Sequence, residues 1–173
     1  MTTQAGLKSQ LDELLEAWRD VRQGIIEEVE NIPADRFDFR PTPDVRTVRE
    51  QVQHILEVAM MAAGELTRPD TNLQRAPWPK LLALYAKPAW RARSKRDLLK
   101  LLRKQVNDAE RRFRSQGEIA LWQTMRRFDG LQGTKLAWVY HAIAQEWYHR
   151  GQLALYARLL GLVPALTQRI QGS

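Results

Sequence analysis

Three histidines, His54, His141 and His149, are the side chains of this sequence best suited to metal or acid–base chemistry. Imidazole titrates near neutrality and is a good ligand for zinc and nickel. His141, Gln145 and His149 follow one another at intervals of four residues. On an α-helix each such step turns about 40° and climbs about 6 Å, so the three form a slanting row on one face. Neighbours four apart can share a small ion, because their side chains meet over one turn. The outer pair, His141 and His149, stand about 12 Å apart along the axis, which strains joint ligation of one ion. A site in this row therefore needs Gln145, whose amide oxygen is a poorer ligand than imidazole for zinc or nickel. His54 lies far upstream beside an apolar stripe, where a hydrogen-bonded core histidine is the ordinary alternative to a ligand.

Other chemistries are limited by residue type. The chain has 173 residues and no cysteine, which excludes disulfides, thiolate metal sites, iron–sulfur ligation and a cysteine nucleophile. No glycine-rich phosphate loop and no Ser-His-Asp arrangement can be read, so no catalytic residue is assigned from spacing. A hydrophobic share of 44% is enough to bury one core at this length and argues against global disorder. We therefore expect a single domain over residues 1–173. No apolar run reaches the roughly 18 residues of a membrane span, and the polar start Met1–Gln10 lacks a signal-peptide core. The expectation is a cytoplasmic protein without a membrane partner.

The net charge of +7 is unevenly laid out. Residues 1–67 carry 7 basic and 13 acidic side chains, whereas residues 80–128 carry 14 basic and 4 acidic ones. Such opposite halves attract each other within a fold or between two copies. A solvated helix face is the ordinary reading of the basic stretch. An anionic substrate or cofactor, or nucleic acid, are the others, and no groove-recognition motif supports the last.

Four segments have the apolar spacing of amphipathic helices. The first runs from Leu7 to about Val29 through Leu11, Leu14, Leu15, Trp18, Val21 and Ile25, and Asn31-Ile32-Pro33 ends it. Thr47 with Glu50 three residues later has the form of a capping box. It opens a second helix that turns Val48, Val52, Ile55, Leu56, Ala59 and Ala62 inward and stops before Pro69. A long loop follows, with a short helical turn expected around Leu81–Tyr85. A third helix begins at Ser94 and ends near Ser115, and a fourth runs from Thr134 to Leu160, with Gly161 as its stop. No segment reads as a strand. The fold class is all-α, a four-helix bundle.

The run His149-Arg150-Gly151-Gln152-Leu153, continued by Tyr156-Ala157-Arg158 and Gly161-Leu162-Val163-Pro164, resembles the C-terminal signature of the DinB/YfiT-like superfamily. Arg40-Pro41, Thr47-Val48 and His54 resemble its second-helix signature, and with helix order and length the similarity covers nearly the whole chain. The resemblance implies a four-helix bundle, often homodimeric. It also implies one divalent metal held by a histidine on the second helix and two histidines four residues apart on the last long helix. Residue by residue, His54 and His149 match ligand positions, and Gln145 falls where the family has its other histidine. Three outcomes are open: Gln145 ligates weakly, His141 substitutes from one turn earlier, or the site holds no metal.

Two functions follow from the resemblance. One is a divalent-metal-dependent thiol transferase or related hydrolase. There zinc or nickel at His54, Gln145 and His149 would hold a low-molecular-weight thiol toward a small-molecule electrophile, and the basic segment 80–128 would attract an anionic thiol. The other is a non-catalytic, stress-linked binding protein that has lost the metal site.

Overall fold

The computed structural model of the chain describes residues 9–172. Four long helices dominate it: α1 Gln10–Asn31, α2 Val48–Leu66, α5 Lys95–Gln116 and α6 Lys135–Leu159. Each begins at a hydroxyl that satisfies an otherwise orphaned backbone N–H. The Ser9 hydroxyl accepts from the Asp12 N–H at 3.1 Å, and Asp12 answers by accepting from the Ser9 N–H. Thr47 and Glu50 form the expected capping box, with bonds of 3.1 and 2.8 Å. Ser94 and Thr134 cap α5 and α6 in the same way. The cap at Ser9 fixes the start of α1; the expected start at Leu7 lies outside the described residues. Past α6, Gly161 adopts φ +78°, a left-handed conformation that glycine takes without strain.

Helices α1 and α2 each pack against both α5 and α6, which is the four-helix bundle expected from periodicity. All six residues expected to face inward on α2 are buried, and they join Trp18, Val21 and Ile25 of α1, Leu98 and Leu102 of α5, and Val139 and Leu153 of α6 in one core. A charged network crosses that core. The Arg22 guanidinium is bidentate on Glu146 and also donates to the Leu102 carbonyl and to Gln105 Oε1, while Trp18 Nε1 donates to Glu146 Oε1 at 2.6 Å. Every oxygen of the buried carboxylate is thus occupied, the condition under which a buried ion pair is tolerated.

The connections hold more structure than the sequence suggests. The loop after α2 contains two helices, α3 Trp78–Tyr85 and α4 Lys87–Arg91, where one turn was expected. Prolines near their starts supply the helical φ and remove an N–H that would otherwise be orphaned. Between α5 and α6, a 3₁₀ turn at Glu118–Trp122 leads into an antiparallel hairpin, β1 Thr124–Arg126 with β2 Gln132–Thr134. The expectation of no strand is corrected there. Three-residue strands are too short to show an alternating pattern, and the turn residues Asp129-Gly130 were the available signal. Beyond Pro164 a last helix, α7 Ala165–Gln171, lies against α1. No described helix is long and apolar enough to cross a membrane.

Candidate metal centre

α2 and α6 bring His54 and His149 together. Their ring centroids are 4.9 Å apart with planes at 88°. Two imidazoles on one tetrahedral zinc ion, at Zn–N bonds of about 2.0–2.1 Å, have centroids about 5 Å apart, so the spacing suits a shared ion. The outer nitrogen of each ring is held. His54 Nδ1 lies 2.7 Å from Glu57 Oε1, and Trp90 Nε1 donates to the other oxygen of the same carboxylate at 2.7 Å. His149 Nδ1 lies 2.8 Å from Gln152 Oε1, and Gln51 Nε2 sits 2.6 Å from both of those atoms. With the proton on Nδ1, donated to Glu57 from His54 and to Gln152 from His149, Nε2 keeps its lone pair, and Gln51 Nε2 then donates to Gln152 Oε1 and not to the ring. A fixed outer nitrogen of this kind is the usual support of a metal-ligating histidine.

Burial, first of all, holds the His149 imidazole below its ordinary value near 6.5; the bond to Gln152 opposes this and the neighbouring His54 adds to it. The ring is therefore biased toward the neutral form, the one that binds metals. Burial pushes the Glu57 carboxyl up, but the hydrogen bonds from His54 and Trp90 prevail and keep it below the usual glutamate range. Glu57 thus remains an anionic acceptor for His54.

The residues present fit a divalent ion in part. His149 Nε2 is buried and has no hydrogen-bond partner, an orphaned lone pair that a cation would satisfy. Yet no group of three or more His, Cys, Asp or Glu side chains suited to a metal occurs among the described residues. A third protein ligand for the His54–His149 pair would then come from outside those four residue types, and Gln145 is the candidate expected from the sequence. It lines the same cavity as His54 and His141. His141 is exposed and rests on Trp138, centroids 4.9 Å apart. It does not form a three-histidine group with the other two.

That cavity, of about 310 Å³, lies between α2 and α6 and is roofed by the segments on either side. Trp78 of α3, Phe128 of the hairpin and Trp138 of α6 form an edge-to-face chain, with centroid steps of 5.0 and 5.6 Å. Leu73 and Trp78 place the 69–90 loop in the cavity wall. At the far end, fully buried Glu65 is bidentate with Arg75 and accepts from the Tyr85 hydroxyl at 2.7 Å. Among the described residues no lysine or arginine lines this cavity, so its wall does not provide the expected attraction of segment 80–128 for an anionic thiol.

Sequence reasoning passed over Glu57, Gln51, Gln152 and Glu65. Glu57 and Gln152 stand three residues after His54 and His149, a spacing at which helical side chains meet, and that was the signal available; Gln51 reaches His149 across the bundle, which no local spacing shows. Glu146, three residues before His149, also has this spacing, but its carboxylate is committed to Arg22 and Trp18. Of the aromatic residues of α6, Tyr156 is buried and Trp138 is half-buried in the cavity wall. Tyr140, Trp147 and Tyr148 are exposed.

The sequence profile of the DinB family matches residues 1–171. The chain belongs to the DinB family. A DinB-like protein from Bacillus subtilis is 21% identical with a TM-score of 0.66, covering 86% of this chain and 92% of that one. YfiT from Bacillus subtilis, described as a probable metal-dependent hydrolase with an unusual four-helix bundle topology, is 17% identical with a TM-score of 0.67, and each chain is covered to 94%. A mycothiol-dependent maleylpyruvate isomerase is 16% identical with a TM-score of 0.65, covering 88% of this chain but 63% of that one. At these identities the likeness to the DinB-like structures establishes the fold. No functionally curated protein matches the chain.

Proposed function

We propose that this chain binds one divalent ion, zinc or nickel, through His54 and His149 with Gln145 as a weak third ligand, and acts as a thiol transferase or a related hydrolase. The observation that carries the reading is the facing imidazole pair, each ring braced at its outer nitrogen, with His149 Nε2 buried and unpartnered. Such an ion supplies Lewis-acid chemistry: it acidifies a bound thiol or water and leaves coordination positions open for substrate. Glu57, itself held by Trp90, orients His54, and Gln152 and Gln51 orient His149. The aromatic wall of Trp78, Phe128 and Trp138 excludes water from the cavity and favours an apolar substrate body there. A mycothiol-dependent maleylpyruvate isomerase and YfiT, a probable metal-dependent hydrolase, share the fold, which supports thiol or water as the nucleophile.

The test is metal content of untagged protein, followed by zinc and nickel titration of the wild type, His54→Ala and His149→Ala. Stoichiometric binding in the wild type, lost in both variants, supports the site and justifies a thiol-transfer screen. A wild type that stays empty at micromolar metal overturns it. The amide at position 145 favours a second reading, a non-catalytic, stress-linked binding protein, and an empty wild type would leave that reading in place. The exposed Tyr140, Trp147, Tyr148, Leu155 and Leu159 on α6 support a homodimer, which light scattering of the full chain checks.

A further inference from the structure

The basic stretch 80–128 finds no role at the histidine cavity, and its cations have a different setting. Those of α5 that turn toward α1 are matched: Arg103 pairs with Glu30, and Arg114 with Asp12 and Glu110. On the other side of α5 a second cavity, of about 320 Å³, opens between α2, α5 and the α3–α4 segment. Its wall is apolar, with Met60, Ala63, Leu101 and Ala109 among the lining residues, and Tyr85 lies so close to Gly64 that an added Cβ would sit 2.2 Å from its ring. Its inner polar group, Gln105, is buried and fixed by Arg22.

The charge sits on the α5 side of this cavity. Lys104, Asp108 and Arg112 all line it. Lys104 and Arg111 share the single carboxylate of Asp108, and among the described residues no carboxylate pairs with Arg112. Arg91 and Lys100 line an adjoining groove that also includes Lys104 and one carboxylate, Asp97, so cations outnumber acids across the two. An apolar slot edged by surplus positive charge complements a molecule with one anionic end and an apolar body. A polyanion such as nucleic acid would use the cations and leave the slot unfilled.

We propose that this cavity is a binding site for an amphipathic monocarboxylate, with the carboxylate on Arg112, on the side away from Asp108, and the aliphatic chain against Met60, Ala63, Leu101 and Ala109. It is separate from the histidine pair: the α2 residues lining it are Met60, Ala63 and Gly64, whereas the histidine cavity uses His54, Val58, Met61, Ala62, Glu65 and Leu66. Tyr85 lies between the two walls, donating its hydroxyl to Glu65 and packing against the cluster of Met61, Leu81 and Leu82.

The test is calorimetric titration of the full chain with acetate, hexanoate, octanoate, octylammonium and a single-stranded oligonucleotide. Affinity is expected to rise about threefold to fourfold per methylene from hexanoate to octanoate, with acetate and octylammonium at least tenfold weaker than octanoate. Arg112→Glu changes one exposed side chain and should weaken octanoate at least tenfold while the melting temperature stays near that of the wild type. His54→Ala should leave octanoate affinity unchanged. The proposal is overturned if octanoate fails to bind at millimolar concentration, if acetate or octylammonium binds as well, or if charge reversal has no effect. It is equally overturned if His54→Ala abolishes binding, or if the oligonucleotide binds tightly and octanoate does not.

Discussion

The His149 ring meets the His54 ring edge to face across the α2–α6 contact, centroids 4.9 Å apart, and the residue one turn before His149 is Gln145. Imidazole is a better zinc or nickel ligand than a carboxamide. The side chain at 145 lines the cavity that also contains His54, so a histidine there is placed to join the pair. Gln145→His should raise zinc and nickel affinity by at least tenfold over the wild type, read by titration against a competing chromophoric chelator. An unchanged affinity would show that position 145 does not reach the ion.

Glu57 and Trp90 act on the same site from outside. The Glu57 carboxylate holds His54 Nδ1 on one oxygen and the Trp90 indole N–H on the other. Loss of such an outer partner costs about 10–100-fold in metal affinity. Glu57→Ala should therefore weaken metal binding in that range, and Trp90→Phe by less, because the carboxylate stays in place with one bond fewer. Chelator competition measures both. Equal affinity in Glu57→Ala and wild type would remove Glu57 from the site.

Acid should destabilise the protein through His149. Burial places its folded-state value below the ordinary value near 6.5, so between those two values the unfolded chain binds more protons than the folded one. Stability then rises with pH across that interval. This contribution is fully present above about 6.5 and is lost as pH falls toward the folded-state value. The melting temperature of the metal-free wild type should fall between pH 7.5 and 5.5, and His149→Asn should show a shallower fall. Parallel slopes in the two proteins would mean that other groups account for the acid sensitivity.

The bundle was legible because its signals repeat. Apolar residues every three or four positions marked all four long helices, and Thr47–Glu50 and Gly161 marked two of their ends. The two strands lack such repetition: three residues each carry no period. The helices α3, α4 and α7 are also short, and α3 is held by tertiary contacts of Leu81 and Leu82 with Met61 on α2. The histidines could be placed on their helices from sequence, yet which ring nitrogen is held depended on Glu57, Gln51 and Gln152. Those roles become visible only once α2 and α6 are set side by side. Likewise Arg112 is one of many cations in the sequence, and only the packing of α5 against α2 sets it beside an apolar wall.

The strongest test of the bundle itself is the pair Arg22 and Glu146. Arg22 is fully buried and Glu146 is 3% exposed, and their other polar bonds run to Trp18, Gln105 and the Leu102 carbonyl. Removing one charge leaves the other desolvated and unpaired, which costs about 3–5 kcal/mol in comparable buried pairs. Glu146→Ala and Arg22→Ala should each lower the unfolding free energy by about that amount, measured by urea denaturation of metal-free protein. The double variant Arg22→Met with Glu146→Leu keeps similar volume and leaves no buried charge, so it should recover most of the loss. If the double variant were as unstable as the sum of the two single variants, the cost would lie in packing around Trp18 and Phe113, whose rings meet at 5.8 Å, and not in the unpaired charge.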